Sequence, residues 1–138
     1  MRISIKVLLN LALVSLLLVG CNDNSGANDI GLTGDIESIE IQQLIGNKET
    51  FKVDDQELVK EFQKVFDDTE KMNGNTEIAE PIYSLNITYA TEETEQVCLW
   101  VTEPNKRSTL MKDDDTYTLY TVSEEMTNIL IDLVVSKF

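Results

Sequence analysis

The strongest constraint on the fold is a change of hydrophobic period halfway along the chain. Leu58, Phe62, Val65, Phe66 and Thr69 recur at helical spacing, while Glu57, Lys60, Glu61, Lys64, Asp67 and Lys71 line the opposite face. After Glu80-Pro81 the period drops to two. Ile82, Ser84, Asn86 and Thr88 alternate with Tyr83, Leu85, Ile87 and Tyr89, which is the pattern of a strand with one apolar face. One chain with both periods must lay a helix on a sheet.

The same logic places the other elements. Ile36, Ile39 and Ile41 predict a first strand ending near Leu44-Ile45; Gly46-Asn47 turns the chain, and Glu49 to Val53 returns as a second. Asp54 is expected to open the helix, with Glu57 three residues on as in a capping box, and Asn73-Gly74-Asn75 to stop it. Val97 to Thr102 is apolar on both sides and reads as a central strand covered on both faces. Thr109 to Lys112 and Thr116 to Thr121 form a hairpin around Asp113-Asp114-Asp115. Ser123 caps a terminal helix with Glu124 and Glu125 in its first turn and Met126, Ile129, Leu130, Leu133 and Val134 as its buried stripe. The expected class is α+β: an antiparallel sheet of about six strands with two covering helices, ordered β-β-α-β-β-β-β-α.

Ahead of this single domain, residues 36–138, the chain has a different character. Arg2 and Lys6 precede an apolar run from Val7 to Val19, the build of a secretory signal peptide over residues 1–20. The run is too short to span a bilayer. Leu18-Val19-Gly20-Cys21 resembles a bacterial lipobox, which implies cleavage between Gly20 and Cys21 and acylation of the Cys21 thiol. Residues 21–35 then read as the lipidated cysteine and a flexible linker, with three glycines and few apolar groups. The expected address is the cell membrane, lipid-anchored on its extracytoplasmic side.

Composition excludes several function classes. The chain has 25 acidic residues against 11 basic ones, and losing Arg2 and Lys6 with the leader would leave 9, a formal −16. Nucleic acid and anionic headgroups both need basic patches, so neither is an expected partner. Histidine is absent, which removes Ser-His-Asp and Cys-His nucleophiles and the usual zinc sites. With Cys21 acylated, Cys98 has no disulfide partner and reads as a buried, inert thiol beside Trp100.

Carboxylates are the chemistry that remains. Asp113, Asp114 and Asp115 are weak metal candidates: calcium favours oxygen-rich turns, but the spaced acids and distal glutamate of a dedicated loop are missing. Glu92, Glu93 and Glu95, or Glu124 and Glu125, supply acids for general acid/base work only if folding sets two of them across a cleft. The aromatics Tyr83, Tyr89, Trp100, Tyr117 and Tyr120 either fill the gap between sheet and helices or form a binding face, with Trp100 expected in the core.

Three segments, Pro81-Ile82-Tyr83-Ser84-Leu85-Asn86-Ile87, Cys98-Leu99-Trp100-Val101, and Thr116-Tyr117-Thr118-Leu119-Tyr120-Thr121-Val122-Ser123, together resemble the YhfM-like domain of small lipoproteins from Gram-positive bacilli. The resemblance implies a tethered extracellular domain and carries no catalytic residues with it. The functional expectation is therefore a membrane-anchored lipoprotein, monomeric and without cofactor, serving as a non-enzymatic binding or structural domain at the cell envelope. The alternative is a small carboxylate-based hydrolase or calcium-dependent enzyme. Two acids facing each other in a concave pocket would favour the enzyme; scattered surface acids would favour the binding domain.

The anchor is testable directly. Acyl chains hold a protein on a bilayer by about 0.8 kcal/mol per buried methylene. Cys21→Ser should leave the protein uncleaved or release it into the medium, read by fractionation of cells and medium. A Cys21→Ser chain that remains processed and membrane-bound removes the anchor reading.

Overall fold

The computed structural model describes residues 28–73 and 78–138. The expected signal peptide over residues 1–20, the Gly20–Cys21 cleavage point and Cys21 itself lie outside the described residues. Seven strands form one sheet: β1 (Ile36–Gln43), β2 (Thr50–Val53), β3 (Glu70–Lys71), β4 (Tyr83–Tyr89), β5 (Thr94–Trp100), β6 (Ser108–Lys112) and β7 (Asp115–Val122). Helix α1 (Gln56–Asp67) follows β2, and α2 (Glu124–Leu133) follows β7, with a short 3-10 turn at Val135–Lys137. Every pairing is antiparallel and the spatial order is β2-β1-β4-β5-β6-β7-β3. The α+β class expected from the periodicity is the class observed, with one strand more. The addition, β3, is two residues long and pairs with β7 at the sheet edge, too short to register as a period.

Alternation builds one apolar face. Ile39 pairs with Ile87 and Ile41 with Leu85, while Leu85 meets Val97, Tyr83 meets Leu99, and Leu99 meets Leu110. Leu110 in turn meets Tyr120. All of these side chains are buried. Ile36 is odd in this count, because a strict alternation would send it to the other face from Ile39. A register shift between Ile36 and Ser38 absorbs the extra residue and sets Ile36 opposite Tyr89, on the core side.

Helix α1 crosses this face, since it joins β2 at one sheet edge to β3 at the other. Phe62, Val65 and Phe66 are completely buried and Val59 nearly so. Its start is one residue later than expected: Asp55, not Asp54, is the cap, in extended conformation with its Oδ1 accepting from Glu57 N (2.9 Å) and Leu58 N (3.3 Å). Its end is earlier, at Asp67 rather than near Asn73. Thr69 explains this: its buried hydroxyl donates to Phe66 O (2.7 Å) and accepts from Ile30 N (3.2 Å), so the side chain takes over where the helical ladder stops. Asp68 then accepts from Ser123 N through Oδ2 (2.8 Å), tying the end of α1 to the cap of α2.

Ser123 caps α2 as expected, its Oγ accepting from Met126 N (3.2 Å). Leu130, Leu133 and Val134 are buried, and Thr127 joins them by a 2.7 Å hydroxyl pair with Ser108. Both helices share the Leu85–Val97 face. The expectation that β5 is covered on both sides by apolar packing needs correction: on the opposite face Cys98 is buried, but Trp100 is only partly so, its indole N–H donating to Ala79 O (2.8 Å).

Of the flexible linker expected over residues 21–35, the part described, residues 28–35, is instead docked. Residues 28–35 run as a strap across the domain, with Ile30 and Leu32 at 1% and 0% exposure. Asn28 N donates to Asp67 O, Asp29 N to Thr69 O, and Gln63 Nε2 to Leu32 O. Despite the low apolar content, two well-placed side chains are enough to dock these eight residues. Leu32→Ala should therefore cost about 2–5 kcal/mol, seen as a lower denaturant midpoint. A chain beginning at Ile36 should lose at least as much; unchanged stability would mean that the strap merely rests on the surface.

Candidate functional site

The apolar face does not stay apolar along its whole length. Glu95 pairs with Ile87, and Lys112 with Val97, so both project from the same side as the core residues but toward the turn end of the β4–β5 hairpin. Tyr89 ends the inward row of β4 beside them. There the covering layer is the strap rather than a helix, and a cleft of about 300 Å³ opens between strap and hairpin. Thr33 and Asp35 form one wall; Tyr89, Thr91, Glu93 and Glu95 form the other.

Glu95 is the centre of this arrangement. Its Oε2 accepts a 2.7 Å hydrogen bond from the Tyr89 hydroxyl, and Lys112 Nζ lies 3.7 Å from Oε1. The Lys112 and Glu95 side chains are about a fifth and a third exposed (22% and 34%), so the pair is only partly screened by water. The phenol of Tyr89 is pushed well above its ordinary 10.0, first by burial, then by its bond to Glu95 and the negative charges of Glu95 and Glu93. It is a firmly protonated donor. The arrangement thus offers a carboxylate held at one oxygen and a phenolic donor within the cleft, with the Lys112 ammonium beside that carboxylate in a smaller neighbouring hollow.

The acids singled out in the sequence divide sharply. Glu93 and Glu95 both line the cleft. Glu92 is a turn residue with φ of 73° and lies outside its lining. Glu124 and Glu125 are exposed in the first turn of α2, suited to its dipole rather than to chemistry. Asp113 and Asp114 form the β6–β7 turn, and Asp115 begins β7, its Oδ1 accepting from Tyr117 N (3.3 Å). Asp113 and Asp114 border a smaller hollow beside Glu95 and Lys112, yet among the described residues no group of three or more acids or cysteines is placed to hold a metal ion. Asp35, among the small polar residues ahead of β1, carries no local signal of a site, nor does Lys112; Tyr89 stands out as a strand aromatic, but only register sets it on the same face as Glu95 and Lys112.

Elsewhere, Cys98 is buried and its thiol is pushed up by burial and by the Asp113 charge, the opposite of activation. Tyr83 and Tyr120 are buried, with phenols raised chiefly by burial, whereas Tyr117 is 99% exposed. No helix among the described residues is long and apolar enough to cross a membrane.

Comparison with known proteins adds two findings. A family model described as YhfM protein matches residues 33–138. A crystal structure of a thioesterase-like protein from Clostridium sporogenes aligns with a TM-score of 0.53 at 14% identity, covering 72% of this chain and 94% of the other. That likeness is one of fold. Comparison with curated proteins finds no match.

The functional expectation is corrected here. The sequence pointed to a non-enzymatic binding or structural lipoprotein domain, with a small carboxylate-based hydrolase or calcium-dependent enzyme as the alternative. A protein described as thioesterase-like has nearly its whole length in this fold, and the cleft at Glu95 gathers three carboxylates in one concavity.

The Tyr89 contact can be checked by pH. Because the folded phenol titrates above its unfolded value of 10.0, its stabilising contribution is complete below pH 10 and fades as pH rises past it. Tyr83 and Tyr120 shift in the same direction, so the comparison must isolate Tyr89. Above pH 10 the wild type should lose stability faster than Tyr89→Phe, measured by denaturant midpoints across alkaline pH. Parallel curves would show that the hydrogen bond to Glu95 contributes nothing.

Proposed function

The chain belongs to the YhfM protein family, and from that premise and the cleft at Glu95 we propose that it is a small carboxylate-based hydrolase acting on a neutral ester or thioester. The observation that carries the reading is the Tyr89–Glu95–Lys112 constellation: one carboxylate between a phenol at 2.7 Å and an ammonium at 3.7 Å, at the edge of an opening large enough for a small acyl group. The thioesterase-like fold neighbour agrees with this class of reaction.

Each group has a part. Glu95 acts as general base, taking a proton from water as the water oxygen attacks the acyl carbon. The tetrahedral oxyanion is stabilised by the Lys112 ammonium. Once Glu95 is protonated it accepts less strongly from Tyr89, freeing the phenolic O–H to turn toward the same oxyanion. The C–O or C–S bond then breaks, and the proton on Glu95 passes to the departing alkoxide or thiolate, leaving a carboxylic acid and an alcohol or thiol. Asp35 and Glu93 in the same walls, on a chain of formal charge −14, disfavour anionic substrates. Phosphate-bearing acyl carriers are poor candidates for that reason. The place of work follows from the Cys21 reading: the outer side of the cell membrane.

The test is turnover of a neutral nitrophenyl ester and a neutral thioester by the purified domain. Wild type should exceed the buffer rate, and Glu95→Gln should lower kcat about a hundredfold to ten-thousandfold, the usual worth of a positioned base. Absence of turnover on both substrates, or full activity in Glu95→Gln, ends this assignment.

A further inference from the structure

Gly34 lies in the strap, against the ring of Tyr89. A Cβ placed there would meet Tyr89 Cδ1 at 2.7 Å and Cε1 at 2.9 Å. No side chain fits at such distances without displacing the ring. Space is the requirement, since the φ of Gly34 lies outside the left-handed region that marks Gly31 (φ 77°) and Gly46 (φ 89°). The ring is thus confined between strap backbone and sheet.

The strap is itself fastened on both flanks of this contact. On the sheet side Ala90 N donates to Asp35 O (2.8 Å), one residue from Gly34 and one from Tyr89. On the helix side Gln63 Nε2 donates to Leu32 O (2.9 Å) and also to Asp67 Oδ1 (3.0 Å), which accepts from Asn28 Nδ2 as well (2.9 Å). The buried Ile30 and Leu32 complete the docking. With Gly34 against one edge of the ring, the strap limits how far the Tyr89 ring can move.

We propose that Gly34, and the docked strap that carries it, are positioning elements that hold the Tyr89 phenol on the Glu95 carboxylate, so that the site is assembled only while the strap is seated. For its effect on turnover this rests on the hydrolase reading; for its effect on Tyr89 it stands alone.

The experiment uses phenolate absorbance of the full chain, with Tyr89→Phe subtracted to isolate Tyr89. In Gly34→Ala, folded by circular dichroism, Tyr89 should titrate closer to 10.0 than in wild type, because burial and the Glu95 bond are both reduced. Ester turnover should fall on the order of a hundredfold, as small misplacements of a catalytic group do. In the Tyr89→Phe background the same Gly34→Ala change should have little further effect on turnover, since it acts through the phenol. If Gly34→Ala fails to fold, Gln63→Ala decides, because it loosens the strap without a clash and should move the titration the same way by a smaller amount. An unmoved Tyr89 titration in the folded variant overturns the proposal, and so does an equal loss of turnover in both backgrounds. Should wild type prove inactive on esters and thioesters, the reaction assignment falls while the titration still decides the role of Gly34.

Discussion

Coverage of one sheet face by helix α1 is the constraint from which the rest of this architecture follows. Phe62, Val65 and Phe66 are completely removed from water, each contributing about 1.5–3 kcal/mol by transfer alone. A helix of 12 residues spans about 18 Å at 1.5 Å per residue. Seven strands about 4.8 Å apart are wider than that, roughly 29 Å across. One helix cannot cover such a face, so α2 covers part of the remainder, and the strap of residues 28–35 takes the end of the β4–β5 hairpin. The cleft lies where the cover is a strand of backbone instead of a helix.

That difference in cover explains the chemistry of the opening. Under a helix, a glutamate opposite Ile87 and a lysine opposite Val97 would be desolvated at high cost. Under a thin strap both keep some water while remaining close enough to Tyr89 and to each other to be fixed in place. The Tyr89 bond is the best-defined part: a short contact from a buried donor whose proton is retained far into the alkaline range. A partly hydrated carboxylate with one oxygen restrained is the kind of group that a hydrolytic site needs, and a surface this acidic restricts what can approach it.

The strap connects this site to the N-terminal part of the chain. Its docking rests on two buried apolar side chains, Ile30 and Leu32, and a handful of hydrogen bonds to α1, Thr69, Lys71 and Ala90. Local openings draw on the least anchored segments first. A site walled by such a segment can be assembled and dismantled without unfolding the core, which a cleft between two helices could not.

Periodicity was enough to determine the class, both helices and the inward row of β4, and the residue type at Ser123 its cap, because amphipathic spacing and capping are local properties of the chain. The absence of histidine likewise removed whole mechanisms before any folding. Local information ran out where contacts are long-range. Thr69 ended α1 early by bonding to Ile30, a residue 39 positions away, and Asp55 outcompeted Asp54 as cap through its own backbone geometry. Ile30 and Leu32 looked like linker because their partners lie in α1 and the sheet. Glu93 and Glu95 were visible as acids, but their meeting with Asp35, Tyr89 and Lys112 depended on antiparallel register and on which face each strand turns inward. Sequence determined the periods and the available chemistry; tertiary structure alone decided which groups share a cleft, because proximity across strands is set by pairing and not by spacing along the chain.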